Sequence, residues 1–222
     1  MLRLYDARTG QVEDLPRARF LRVHVSGGDL RSRILGDVIR RLAERHRRQI
    51  LLTASDGRDL TALNIPPTDQ DAPGDADLNV GRGPGRLVAV APTSEEPSLT
   101  ELAERGLDPL SVRLAMLERP YREPLELDSR QVETADRELR RLRESVAGWA
   151  EEPSKPVHGD YRAELIEALD SDLDTPKALE ALRRLAAAEV PPGSKFETFA
   201  YADMVLALDL VRDVGRSRTP PR

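Results

Sequence analysis

Residues 20–54 leave this chain few folds to choose from. Residues 20–25, Phe-Leu-Arg-Val-His-Val, place Leu21, Val23 and Val25 on one face, the alternation of a strand with one buried side. Ser26-Gly27-Gly28 follows as a strand-to-helix turn. Asp29 is placed to cap a helix over residues 30–46, whose apolar face is Leu30, Ile34, Val38 and Leu42. Residues 49–54 form a second buried strand. Strand, helix, strand in that order implies a parallel pair joined by a right-handed crossover. Ahead of it, residues 2–5 and 11–15 flank Arg8-Thr9-Gly10 as a short hairpin. Beyond it, residues 87–91 read as a third short strand.

From Ser98 the pattern becomes helical. Ser98 with Glu101 forms a capping box, and Gly106 fits the stop of that first helix. Asp108 can cap the next helix, with Pro109 in its first turn, where a missing N–H costs nothing. Leu110, Leu114 and Leu117, with Val112 and Met116 beside them, give it a wide apolar stripe until Pro120 stops it. Asp128 and Gln131 resemble a second capping box, and Val132, Ala135, Leu139, Leu142 and Val146 then recur at helical spacing. Residues 151–156 are the clearest linker. Three more helices are expected. The first spans residues 161–169. The second, over residues 178–190, is capped and started by Thr175 and Pro176. The third, over residues 196–211, carries Phe199, Met204, Leu206 and Leu208 for burial on more than one side.

Two of these stretches resemble one family, the cysteinyl-tRNA synthetases. Its helical domain has a D-P-x-x-(L/V)-R helix, a Tyr-Arg-x-Pro-Leu corner and a long A-x-x-x-L-x-R-L helix. The matching residues are Asp108, Pro109, Val112, Arg113, Tyr121, Arg122, Pro124, Leu125, Ala135, Leu139, Arg141 and Leu142. Residues 168–179, Ala-Leu-Asp-Ser-Asp-Leu-Asp-Thr-Pro-Lys-Ala-Leu, look like its A-x-x-D-D-L-N-T-P-x-A-L segment. Residues 1–12 resemble its opening. The resemblance implies a reduced Rossmann-like α/β domain over residues 1–95 and a helical bundle over residues 98–215. The chain is then mostly helical overall, with residues 216–222 as a tail and no anticodon-binding domain.

The resemblance thins where that class I synthetase family keeps its chemistry. Its first zinc-ligand cysteine and its His-Ile-Gly-His-type signature follow the first core strand. Here Ser26 stands at the cysteine position and about nine residues of the family pattern have no counterpart. Ser26, Gly27, Gly28 and Asp56 are therefore read as a vestigial nucleotide or amino-acid site, with a tight glycine turn as the alternative for the first three. Asp56 and Asp59 pair either as acids or metal ligands, or as a polar turn. Residues 81–86, Gly-Arg-Gly-Pro-Gly-Arg, lack the Lys-Ser/Thr of a phosphate loop, and Pro84 removes an N–H donor, so they read as a flexible turn. Where the family's Lys-Met-Ser-Lys-Ser loop belongs, residues 91–97 carry Glu95 and Glu96 and no lysine. Like charges there oppose a triphosphate.

Composition narrows the function further. The 222 residues contain no cysteine and three histidines, which disfavours disulfides and a Cys/His zinc site. No apolar run approaches the length of a membrane span, and no membrane partner is expected. A net charge of −5 opposes general nucleic-acid coating. It leaves room for a local basic face, for which Arg40, Arg41, Arg45 and Arg48 are the candidate RNA-contacting residues, with a second group at 137, 140, 141 and 143. Solvated helix faces with internal Glu–Arg pairs are the alternative. His158 reads as a linker histidine and Trp149 as a plug of the bundle. The expectation is a bacterial, cytoplasmic pseudoenzyme that binds a protein partner and uses neither ATP nor zinc. The alternatives are a tRNA-binding protein and a residual adenylate-forming cysteine ligase, similar to the ligase of mycothiol synthesis.

Overall fold

Four parallel strands and seven helices realise this plan in a computed structural model that describes residues 1–69 and 76–216. The opening hairpin pairs β1 (Arg3–Asp6) with β2 (Gln11–Asp14), Leu4 opposite Glu13. The core strand β3 (Phe20–Val25) runs into α1 (Leu30–Arg45), which returns to β4 (Gln49–Ala54). β3 and β4 pair in parallel, Phe20 against Gln49 through Val25 against Ala54. Asp29 caps α1 by accepting the Ser32 N–H at 2.8 Å, as its side-chain type and position predict.

A strand that the sequence does not announce, β5 (Leu78–Val80), lies on the other side of β3, and β6 (Leu87–Val88) completes the order β4-β3-β5-β6. Leu78-Asn79-Val80 is too short for a periodic signal and carries a polar residue, yet all three side chains are buried. Asn79 is satisfied there by donating to the Pro84 carbonyl. The third strand is also shorter than expected, ending at Val88, because Ala91 turns away to donate its N–H to Tyr121 O.

The helices follow as α2 (Leu99–Glu104), α3 (Leu110–Leu117), α4 (Ser129–Trp149), α5 (Gly159–Asp170), α6 (Thr175–Ala187) and α7 (Pro192–Leu206). The Asp128–Gln131 capping box at the start of α4 is complete in both directions. At α6 the cap is Asp174, which accepts from Lys177 N–H, rather than Thr175. Thr175 instead sends its hydroxyl into Leu117 O at 2.7 Å, tying α6 to the end of α3. The last helix starts four residues earlier and ends five earlier than its composition suggests. Leu206, Leu208 and Leu210 are each fully buried at a spacing of two, which a helix cannot deliver, so the chain leaves the helix at Ala207 with φ +51°. Met204, expected inside, is 60% exposed. Of the expected tail, all but Arg216 lies outside the described residues.

Two buried arginines hold this non-helical ending. Arg113 of α3, fully buried, donates to Leu206 O at 2.7 Å, Leu63 O at 3.0 Å and the Asp37 carboxylate of α1 at 2.8 Å. Arg143 of α4 reaches Leu208 O, Asp209 O and Asp108 Oδ2 at 2.6–2.9 Å. Asp203 accepts the Leu208 and Leu210 N–H groups. The carbonyls of Leu206, Leu208 and Asp209 and the N–H groups of Leu208 and Leu210 thus have partners, which favours burying the turn. Burial pushes the Asp203 carboxyl up. Burial does the same to Asp108, but hydrogen bonds from Arg143 and Leu110 N–H, with the charges of Arg143 and Arg212, outweigh it and hold that carboxyl low.

Candidate functional site

The strand order fixes where a crevice opens. From β3 the chain crosses to β4 on one side and later returns to β5 on the other, so β3 and β5 flank a topological switch point. Open α/β sheets bind ligands at the carboxyl ends of the strands at such a point. There a crevice of about 780 Å³ is lined by Ser26, Gly27, Gly28, Asp29 and Ser32 from the β3–α1 turn, Gly81 and Arg82 after β5, and residues 90–96 after β6. Three of the sequence-predicted residues, Ser26, Gly27 and Gly28, come together in it. Gly81 has φ +94° and its backbone lies so close to the β3–α1 turn that a Cβ would meet Gly27 N at 3.0 Å.

Several polar groups of the crevice are bonded to one another. The Ser26 hydroxyl accepts Arg82 N–H at 2.6 Å, and its one proton faces the carbonyls of Arg82 and Val80. The Glu96 carboxylate sits on the N-terminus of α1, with one oxygen accepting the Leu30 N–H. Its other oxygen lies 3.3 Å from Arg58 Nη1, which also donates to Gly28 O at 2.9 Å. A helix N-terminus carries free N–H donors and partial positive charge, so a carboxylate is the kind of group it holds. In α1 that group comes from a loop 66 residues further along the chain.

Asp56, the fourth candidate, lies at the turn's outer side, 3.6 Å from where a Gly28 Cβ would stand. Its partner is Arg33, 3.6 Å away, and neither carboxylate oxygen makes a hydrogen bond. Asp59 does not join it. Its carboxylate accepts the N–H and hydroxyl of Thr61, hydrogen bonds that hold its pKa low, so it closes a polar turn. Among the described residues no three His, Cys, Asp or Glu side chains are grouped to hold a metal. Arg31 is buried beneath the crevice. It donates to the carbonyls of Ala91, Arg119, Pro120 and Glu123, so α1 anchors both the residue 91 turn and the corner after α3. Burial pulls its pKa down to about 10.

The arginines of α1 do not form one open stripe. Arg31 and Arg33 are buried. Arg40 and Arg41 bracket Asp37, and Arg41 also donates to Asn64 O. Arg45 lies over the Tyr201 ring at 3.8 Å, and Arg48 donates to Pro16 O at 2.9 Å. In the second group Arg140 pairs with Asp136, while Arg143 belongs to the core. His158 precedes α5, its ring edge-on to Tyr161, and Trp149 tilts against Phe199 at 5.0 Å.

The crevice continues into two further grooves. One, of about 460 Å³, shares Glu95 and Glu96 with it and adds Glu101, Leu102, Arg105, Leu127, Asp128 and Val132. The next, of about 620 Å³, shares Leu127 and runs past Leu125 to Glu118, Arg119, Glu123 and Glu126. Eight carboxylates line this trough against the three guanidiniums of Arg82, Arg105 and Arg119. Arg105 is paired with Glu133 and Arg119 with Glu123. No sequence signal joins these carboxylates, because they come from three separate corners.

No family model matches the chain. Individual relatives do. It is 34% identical over 112 residues to cysteine–tRNA ligase 1 of Burkholderia lata, half of this chain and 23% of that protein. It is 35% identical over 114 residues to the L-cysteine:1D-myo-inositol 2-amino-2-deoxy-alpha-D-glucopyranoside ligase of Xylanimonas cellulosilytica, half of this chain and 27% of that one. To the same-named ligase of Segniliparus rotundus it is 39% identical over 84 residues, 38% of this chain and 19% of that one. The match thus spans between about a fifth and about a quarter of these relatives' lengths. Over half its length, the chain is cysteinyl-tRNA-synthetase-like.

Proposed function

We propose that this cysteine-ligase-like chain is a non-catalytic interaction protein, and that its acidic trough takes an extended, Lys/Arg-rich segment of a partner protein. The observation that carries this reading is the trough's unpaired negative charge. Among the described residues, the Glu95, Glu101 and Glu126 carboxylates have no ion pair or hydrogen bond. They stand above a floor that includes Leu102, Leu125, Leu127 and Val132. Apolar floor and charged rim suit an extended peptide whose cationic side chains meet the rim and whose stems cover the floor.

Supporting it, the positions that would serve ATP and zinc are otherwise engaged. The Glu96 carboxylate occupies the α1 N–H that would face a phosphate, and the Ser26 hydroxyl is taken up by backbone groups. A hydroxyl is in any case a poor zinc donor beside thiolate and imidazole. RNA has less support, because Arg40, Arg41, Arg45 and Arg48 all have partners within the chain.

Fluorescence anisotropy with a labelled oligo-Arg/Lys peptide tests the reading. Binding is expected to weaken as salt rises. The triple variant Glu95→Lys, Glu101→Lys, Glu126→Lys is expected to lose at least ~tenfold in affinity, since like charges across an interface are strongly disfavoured. Unchanged affinity in the folded triple variant removes the trough as the docking surface.

A further inference from the structure

The end of the sheet away from the crevice carries charge of the opposite sign. There Arg48 Nη1 donates to Pro16 O at 2.9 Å and Gln49 N–H to Arg19 O at 2.8 Å, so residues 16–20 and 47–49 lie side by side where β3 and β4 begin. Pro16, Arg17, Ala18, Arg19 and Phe20 are exposed in succession, a ridge that runs straight into β3. Phe20 and Arg22 share one face of that strand, since side chains two apart point the same way. It is the face that α1 leaves free, because α1 packs on the other, where a Cβ at Gly36 would meet Val25 and Leu52. Parallel sheets are ordinarily covered on both faces, yet Phe20 is 46% exposed. Among the described residues, the Arg17, Arg19, Arg22 and Arg47 side chains make no ion pair or hydrogen bond. Asp14, Glu44 and Asp77 border the ridge, and Asp77 accepts Arg22 N–H. With Arg48 included, five guanidiniums stand against these three carboxylates. The trough has the reverse balance.

We infer that the basic segment taken by the acidic trough is this ridge on a second copy of the chain, so that the protein associates head to tail; this rests on the trough being the docking surface proposed above. The two surfaces match in kind. The ridge is extended and arginine-rich, and its unpaired Arg17, Arg19 and Arg22 answer the unpaired Glu95, Glu101 and Glu126. Phe20 supplies an exposed aromatic for the floor of Leu102, Leu125, Leu127 and Val132. Charge of opposite sign fixes the orientation of such a contact, and a buried aromatic anchor supplies much of its affinity. One chain cannot make the contact with itself. β3 starts at the ridge and ends at the crevice six residues later, roughly 20 Å away, so ridge and trough face apart. They are also different patches, so the contact is heterologous. Each added copy leaves one trough and one ridge free, and the assembly grows rather than stopping at a dimer.

The test is analytical ultracentrifugation of the purified chain over a concentration series at low and high salt. At low salt the average mass is expected to rise with concentration, and at high salt to return to that of the monomer. A ridge variant, Arg17→Glu with Arg19→Glu, and a trough variant, Glu95→Gln with Glu101→Gln and Glu126→Gln, are each expected to associate at least ~tenfold more weakly. All five positions lie on the surface, and circular dichroism checks that each variant is folded. Mixed in equal amounts, the two variants offer one intact trough and one intact ridge, and are expected to form a one-to-one dimer that does not grow. Phe20→Ala keeps every charge and is expected to weaken association at least ~fivefold, which general charge attraction would not show. A wild-type chain that stays monomeric while the oligo-Arg/Lys peptide still binds overturns the inference and spares the trough. Association that survives the trough variant also overturns it, because the ridge then docks elsewhere. Neither association nor peptide binding overturns both readings.

Discussion

Arg113→Ala is expected to destabilise the fold by about 3–5 kcal/mol, the range for truncating a large, fully buried side chain. The side chain joins three elements: α1 through Asp37, the short turn at Leu63 and the end of α7 through Leu206. Asp37 keeps Arg40 and Arg41, so it is not stranded. The carbonyls of Leu63 and Leu206 lose their side-chain donor, and a cavity opens between the sheet layer and the bundle. Urea unfolding should show a lower midpoint, and the melting temperature should fall by roughly 10 °C or more. Arg113→Lys separates charge from shape. One ammonium cannot meet the three acceptors that the planar guanidinium reaches at once, so lysine should recover only part of the loss.

Gly193→Ala is expected to cost about 1–3 kcal/mol through overpacking. Gly193 lies in the first turn of α7, and a Cβ there would stand 2.1 Å from Pro153 O, with Lys155 N at 3.1 Å. The obstruction is backbone on both counts, so no side-chain rotation relieves it, and the 151–156 linker must shift away from α7. Gly148→Ala in α4 is the matched control. Nothing lies within 4 Å of a Cβ added there, and alanine in a helix interior gains roughly 0.5–1 kcal/mol over glycine. Opposite signs at the two positions, read by thermal or chemical unfolding, would show that contact rather than helix propensity decides.

The stretches that carried the family resemblance meet in space, and they meet at a structural joint. Asp172, with φ +59°, accepts Tyr5 N–H at 2.8 Å and the Tyr121 hydroxyl at 2.5 Å, and it pairs with Arg122 at 3.1 Å. Tyr5 belongs to the opening segment, Tyr121 and Arg122 to the corner after α3, and Asp172 to the turn before α6. Burial, then the bond to Asp172, pushes the Tyr121 phenol well up, so it serves here as a fixed donor. The motif residues were legible because they build the fold.

Caps and periodicities are local, so α1, α4 and the β3–α1–β4 unit could be read directly. β5 was not legible, since three residues carry no period and its placement comes from pairing with β3. The end of α7 was legible only in hindsight, from leucines at a spacing of two. Arg113 did leave a signal, a charge within the apolar run Leu-Ser-Val-Arg-Leu-Ala-Met-Leu, where all eight side chains are buried. At the crevice, glycines and Ser26 marked the turn, and Glu95 and Glu96 marked the loop. The seating of Glu96 on α1 was not legible, because it depends on how two distant loops converge above the sheet.

The claim at the centre of this account is that the crevice supports binding and not adenylate formation. Cysteine-dependent exchange of labelled pyrophosphate into ATP by the purified chain measures that directly. The account predicts no exchange above the protein-free rate at saturating cysteine and ATP, with or without zinc. Exchange that requires cysteine and scales with protein concentration would contradict it, and would make the chain a working ligase despite the carboxylate on α1.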